Sequence, residues 1–419
     1  MIVIRGQAKG EWESDGMDSA PMERIPAAGE NIQVLRKARG ISQTKLARDA
    51  SISISLLRKI EQGSRAATPA TVASIAKALH VTTARINGQP FLGPSEQSDL
   101  LDDLRGALRR YTLPKEDVPD PARLEEDLRK ITALRAGSQY LELLRMLPTL
   151  LGQVTAAALS NPGEAGAWSR TADAYGCAYT IAHRLMQPDL ADMIASRQTW
   201  AAKQTWNPEA EAIAAWTEAG TYQSAGEYAD GLAIVDRAIV KYEQGPRPDG
   251  LDSVLTLGSL HLRGIVLASR DRDKNTAMAH TLRARELAKR LPSGQGDVIA
   301  HNLTFGPGNL ALYEVGANIE LGNPAEASTM AQPLIKTPPK GLRASRVGRL
   351  CIDTARARLT LGDLEGAEDA LKATFRVAPQ MAAIHPMSRE VLRVLVIMHQ
   401  RSRPELMAMA KRSGLTPEL

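Results

Sequence analysis

The sequence predicts an all-α chain, with a small helical module near the N-terminus and a long array of helical pairs behind it. From about residue 97 to 419, apolar residues recur at helical spacing with no convincing period-2 run. Helix breakers punctuate that stretch: Pro114, Pro119, Pro121, Asn161-Pro162, Gln187-Pro188, Asn207-Pro208, Gly245-Pro246, Pro292, Gly306-Pro307-Gly308, Asn323-Pro324 and Pro338-Pro339. Between them lie segments of roughly a dozen to two dozen residues, the length of ordinary helices. Aromatics make up only 4% of the chain, with three Phe, which disfavours an aromatic-rich β-sandwich.

The chain's 419 residues suit two or three domains. At 43% hydrophobic and 24% charged, it has enough apolar mass for a substantial core. The excess of Arg over Lys, with abundant Ala, points to a GC-rich bacterial genome. Two cysteines, Cys177 and Cys351, cannot build a disulfide framework or a four-thiolate zinc site, so a reduced cytoplasm is expected. The longest uncharged run, Met146 to Gly163, contains Pro148, Gln153, Asn161 and Pro162 and does not read as a membrane span. The opening Met1-Ile2-Val3-Ile4 is too short for a signal-peptide core. The expectation is a soluble, cytoplasmic protein with no membrane partner.

Charge is unevenly placed. Residues 22–91 carry eleven Lys/Arg against four Asp/Glu, an excess of +7 out of a net +5, which leaves −2 for the rest. A basic excess confined to one small module is the electrostatic footprint of nucleic-acid binding, although a solvated basic surface would look the same.

The organisation follows. Residues 1–21 read as a disordered tail, rich in Gly and Ser without apolar periodicity, and Met22 is a natural-looking start. Residues 22–91 form the basic helical module. Residues 89–96 mark a boundary with two Pro and a Gly, and 92–120 read as linker and connecting helix. Residues 121–419 form the helical array.

Within the module, helix one spans Glu30 to Arg39, with Ile32, Val34 and Leu35 inward, and Gly40 ends it. Ser42 caps helix two, Gln43 to Asp49, with Leu46 and Ala47 inward. A short turn over residues 50–52 leads to Ser53, which caps helix three, Ile54 to Gln62, with Leu57 and Ile60 inward. Thr68-Pro69 starts helix four, Ala70 to Leu79. A last turn, Thr82 to Ile86, closes the bundle. Two short helices joined by a tight turn make a helix-turn-helix, and helix three is its recognition helix. Ile54, Ser55, Arg58 and Lys59 point outward. Lys59 can donate to guanine O6/N7, Ser55 can donate or accept, and Ile54 can pack on a thymine methyl. Gln43 is placed to donate to a phosphate beside helix-end amides. Thr44, Ser53 and Arg65 complete the DNA-contacting set.

Leu35-Arg36-x-x-Arg39-Gly40-x-Ser42-Gln43-x-x-Leu46-Ala47, then Ser53-x-x-x-Leu57-x-Lys59-Ile60-Glu61-x-Gly63, resembles the Cro/repressor-like helix-turn-helix family, of xenobiotic-response-element type. The resemblance covers about 65 residues and implies a five-helix lambda-repressor-like domain. It implies phosphate contact at Gln43, base reading at Ile54, Ser55 and Lys59, and a buried structural acid at Glu61. One departure concerns Ser51, where the family usually places Gly in a left-handed conformation.

The array resembles tetratricopeptide repeats, in divergent, longer pairs. With Gly362 at position 15, Ala355, Leu364, Ala367, Leu371 and Pro379 fall in register. With Gly226 there, Tyr222, Tyr228 and Ala238 do, while Gly322 sets a poorer unit. The repeat register places the first helix of each pair on the concave surface. Trp216, Gln223, His261, Asn309, Tyr313, Arg349 and Arg356 then face a groove. Arg349 and Arg356 suit an anionic group such as a peptide carboxylate, and are equally able to pair with Asp353 or Glu320. A Trp at repeat spacing serves packing as readily as binding. Gly306-Pro307 is a helix start whose amides can hold an anion.

With its head-to-tail modules, the chain resembles actinobacterial regulators joining such a DNA-binding domain to tetratricopeptide-like repeats. The resemblance implies a transcriptional regulator, a homodimer on an inverted-repeat operator in double-stranded DNA, and a peptide or small-molecule effector. An interaction scaffold or antitoxin-like module docking a protein partner is the alternative. Motifs for zinc hydrolases, serine hydrolases and phosphate loops are missing, and the seven His are scattered. No enzyme activity, catalytic residue, cofactor or metal is expected.

Overall fold

The computed structural model describes residues 27–88, 95–185, 187–245, 250–339, 341–399 and 403–415. The N-terminal tail of 1–21 and the Met22 start, the boundary stretch 89–94 and Pro246 lie outside them. Among the described residues the chain forms twenty-one helices and one two-stranded hairpin.

The head contains α1 (Ala28–Ala38), α2 (Gln43–Asp49), α3 (Ile54–Glu61), α4 (Pro69–Ala78) and α5 (Thr83–Ile86). Side-chain oxygens start four of them: Ser42, Ser53, Thr68 and Thr82 each accept the amide three residues on. Ile32, Leu46, Leu57, Ile60, Ile75 and Leu79 form the core. Ser51 has φ 53°, the left-handed turn conformation that the family pattern implies. Gly29 lets α1 cross α3 closely, since a Cβ there would collide with the Ile60 carbonyl. Val34, expected inward, is 63% exposed. It lies two residues from Ile32, about 200° round the helix, and Arg36 takes the buried place instead.

The body begins with α6 (Ser95–Arg109), in the stretch 92–120 read as linker and connecting helix, which packs on α8 (Tyr140–Ser160) and α10 (Pro188–Gln204). Then come α7 (Pro121–Ala136), α8 (Tyr140–Ser160), α9 (Ala165–Arg184), α10 (Pro188–Gln204), α11 (Pro208–Ala225), α12 (Tyr228–Gln244), α13 (Leu251–Arg270) and α14 (Lys274–Ala288). The hairpin β1 (Val298–Ala300) and β2 (Leu303–Phe305) interrupts the series. It continues with α15 (Pro307–Glu320), α16 (Pro324–Lys336), α17 (Ala344–Leu361), α18 (Leu364–Val377), α19 (Pro379–Ile384), α20 (Pro386–Met398) and α21 (Pro404–Arg412).

Pro sits in the first turn of α7, α10, α11, α15 and α16, where its missing N–H costs no hydrogen bond. Gly226 and Gly362 end α11 and α17 with φ 88° and 82°, and Gly322 follows α15 with φ 87°. These are the glycines on which the repeat register was set. Each helix from α7 packs on the next in sequence, including α14 on α15 across the hairpin. Helices α7, α9, α11, α13, α15 and α17 also pack on one another in order, forming an inner layer. The body is thus a helical solenoid-like array. Among the described residues the hairpin is the only departure from helix in the expected all-α array. Its two three-residue strands pair Val298 with Phe305 and are too short to show a period-2 run.

The array curls until its ends meet. Ala378 and Met381 join the same apolar cluster as Leu143 and Leu147 of α8. The Tyr140 amide donates to Gln380 Oε1 at 3.1 Å. Helices α8 and α13 are long and apolar enough to cross a membrane, yet 83% of the apolar window in α13 is buried within the body.

Candidate functional site

The exposed face of α3 is built on an ion pair beneath it. The Arg36 guanidinium grips the Glu61 carboxylate with two bonds, Nε to Oε1 at 2.7 Å and Nη2 to Oε2 at 2.8 Å. Gln43 Nε2 donates to the same carboxylate at 2.8 Å. Burial pushes the Glu61 carboxyl up, but Arg36, Gln43 and Lys37 outweigh it and hold it below its ordinary value. This triad ties α1, α2 and α3 together and gives Glu61 the structural role the family pattern implies.

Above the triad, Thr44, Ser55, Arg58, Lys59 and Arg65 are exposed. Among the described residues, none of the three cations forms an ion pair. Three expected DNA contacts carry a second duty. Ile54 is half-buried against the head core rather than fully outward. The Ser53 hydroxyl accepts the Leu56 amide at 3.1 Å as a helix cap. Gln43 Nε2 gives an N–H to Glu61. Sequence spacing put Gln43 at the start of α2 but could not show that a carboxylate eighteen residues away claims it.

The second feature is a partly open cavity of about 190 Å³ bounded by the inner layer and the hairpin. Trp216, Gln223, Asn309, Tyr313 and Arg349 line it, as the repeat register expects. The Arg263 guanidinium stacks over Trp216 at 4.0 Å and donates to Gln223 Oε1 at 2.7 Å. Asn309 Nδ2 donates to the Thr304 carbonyl at 2.7 Å, and its Oδ1 is buried without a partner in the chain.

Two expected groove residues lie elsewhere. His261 turns away from the cavity to α14, where its Nδ1 lies 2.9 Å from His280 Nδ1. It sits on α13, a helix buried on nearly every side, so repeat register alone cannot choose its face. Arg356 is buried behind the cavity wall, bound to Glu320 at 2.8 Å and Asp353 at 3.0 Å. Those carboxylates satisfy it, so it offers nothing to an anion in the groove. Arg349 also donates to Asp353, at 2.7 Å, but keeps its place in the lining. The anion expected at the α15 start proves to be the chain's own: Gly308 N–H donates to Asp297 Oδ1 at 3.0 Å.

Sequence reasoning missed most of the cavity's cations. Arg135, Arg184, Arg263, Arg343 and Arg346 come from four helices or helix ends and share no motif. Their potential shows in neighbouring groups. Burial, then Arg184 and Arg263, push the His183 imidazole down to about 3. Burial pushes the Tyr313 phenol up, yet Arg346 and Arg263 outweigh it and bring it below its ordinary value. His301 is the exception. Its bond to Asp173, 3.0 Å, raises it to about 9.

The cavity reaches the head through one turn. His183 Nδ1 lies 3.2 Å from Ser224 Oγ, whose hydroxyl donates to the Gly220 carbonyl, leaving Nδ1 as the donor. The next residues meet the head: Thr83 bonds Ser224, and a Cβ on Gly226 would press on Ala73. A second seam joins Gly63 to Ile397 of α20.

A helix-turn-helix family model matches residues 32–86, and the head is a helix-turn-helix DNA-binding domain. Among solved structures, the chain is similar to Bacillus thuringiensis PlcR in complex with the peptide PapR7 and DNA. That match has 11% identity, covers 86% of this chain and 98% of that one, and has a TM-score of 0.35. It is also similar to PrgX in its iCF10 complex, at 12% identity over 94% and 98% of the two chains, with a TM-score of 0.24. No curated protein matches the sequence.

Proposed function

We propose that this protein is a sequence-specific transcriptional regulator of the type found in actinobacteria. It binds double-stranded DNA through α3 and takes a peptide or small-molecule effector in the tetratricopeptide-like body. The observation that carries the reading is the unpaired face of Ser55, Arg58 and Lys59 on a helix held rigid by Glu61 and Arg36. A groove-inserted helix needs both: free donors at base edges and a fixed angle of entry. A homodimer would place two such helices about one DNA turn apart on an inverted repeat. An effector in the cavity would act on the head through Ser224 and Thr83, shifting the freedom or spacing of the two heads. The reading assigns no catalysis to the chain and places it on the nucleoid, in the cytoplasm.

The test is binding of the purified protein to fragments of its own upstream region across a salt titration. A sequence-specific complex whose affinity falls steeply with salt supports the regulator. Sequence-blind, weak binding at every salt concentration, with or without candidate effectors, would refute it.

A further inference from the structure

Besides Arg270 and Arg349, which meet Glu320 and Asp353, five guanidinium groups line one cavity: those of Arg135, Arg184, Arg263, Arg343 and Arg346. Among the described residues, none has a carboxylate within ion-pair distance. The two acids in the lining, Glu320 and Asp353, are engaged by Arg356 and Arg349. Three buried donors, Arg135 Nε, Arg263 Nε and Arg343 Nη1, have no hydrogen-bond partner in the chain. Guanidinium stays charged at any physiological pH, so the cluster cannot neutralise itself. Like charges collected in a low-dielectric pocket destabilise the fold unless a counter-charge enters.

From this geometry we infer that the cavity binds a small organic polyanion carrying two or more phosphate or carboxylate groups. This deepens the effector reading above and rests on it for its regulatory meaning. Planar guanidinium forks from several directions match the oxygens of phosphate and carboxylate. One carboxylate would leave most of the five unanswered, so at least two anionic groups are needed. A volume of about 190 Å³ suits a metabolite better than an extended peptide. Trp216, Tyr179 and Tyr313 add ring surface to the lining, the first two stacked on Arg263 and His183, and Asn309 Oδ1 offers an unused acceptor.

The test uses the full-length protein in thermal unfolding and calorimetric titration. The probes are pyrophosphate, citrate and an uncharged capped heptapeptide, each against sodium chloride at equal ionic strength. Pyrophosphate or citrate is expected to raise Tm well beyond the salt control. A larger effect of pyrophosphate assigns phosphate groups to the ligand, and the reverse assigns carboxylates. Arg263→Met and Arg346→Met, made separately, should each weaken that binding at least tenfold while raising the ligand-free Tm, because each removes a repelled charge. The pair guards against one variant failing to fold. Polyanions also meet the basic head, so the control is Arg58→Ala with Lys59→Ala, which should retain the effect.

The inference fails if the polyanions match the salt control. It fails equally if their effect survives both cavity variants and vanishes with the head variant, or if only the uncharged peptide binds. Specific DNA binding is measured in parallel. Its absence with polyanion binding intact would sink the regulator and leave the ligand class standing.

Discussion

The Thr83 hydroxyl, at the start of α5 in the head, donates to the Ser224 carbonyl, at the end of α11 in the body, at 2.9 Å. Ser224 stands between a cavity-lining residue, Gln223, and the glycine that abuts the head, Gly226. One helix turn therefore touches both sites, as a two-state coupling element must. Thr83→Val keeps the shape and removes the donor. It should cost about 1 kcal/mol at the seam. Calorimetry should then show head and body unfolding in more separate steps, and DNA affinity should lose its response to pyrophosphate. An unchanged response would remove this turn from the coupling route.

Base reading and backbone contact separate by mutation. Lys59→Ala should relax base preference, costing about 1–3 kcal/mol on the specific site and much less on scrambled DNA. Gln43→Ala should weaken binding on all sequences. Because Gln43 also holds Glu61, it should lower the melting temperature of the head as well. Equal losses for Lys59→Ala on both DNAs, in fluorescence anisotropy, would count against its base-reading role.

Glu61 carries the stability of the head. Glu61→Ala leaves Arg36 buried and unpaired, which should cost about 3–5 kcal/mol. The carboxyl is held below its ordinary value of 4.5, so its folded form binds protons less readily than its unfolded form. Its contribution is complete above 4.5 and is lost as pH falls through the lower folded value. Urea titrations of the wild-type protein should therefore show a loss of head stability in that acid range. The loss should be blunted in Glu61→Gln.

Two cavity histidines should titrate far apart. His301 should remain protonated until about pH 9, and His183 should remain neutral down to about pH 3. For His301 the folded value is raised, so its ion pair stabilises fully below 6.5 and is lost as pH rises through 9. NMR titration of the ring protons reads both. Asp173→Asn should bring His301 down toward 6.5, and a value that stayed near 9 would show that Asp173 is not the cause.

Much of the head was legible because its determinants are local. Caps at Ser42, Ser53 and Thr68, the Gly40 stop and the left-handed Ser51 turn each act within a few residues. The inner helices of the body were legible for the same reason, through Pro at helix starts and Gly at helix ends. Pro148 and Pro333 show the limit. Both lie inside helices, α8 and α16, where packing overrides the local preference against proline.

Local spacing determined the element boundaries, the recognition helix and the basic face, since each depends on periodicity and capping along one segment. Tertiary structure decided which polar groups remain free. Gln43 and Arg356 are claimed by carboxylates on other helices, and His261 by His280. The five cavity arginines without a carboxylate partner are scattered over more than two hundred residues and become one site only when the array curls until its ends meet. Charge acts through space at distances of a few ångströms, and no pattern along the chain records which residues the curvature will bring that close.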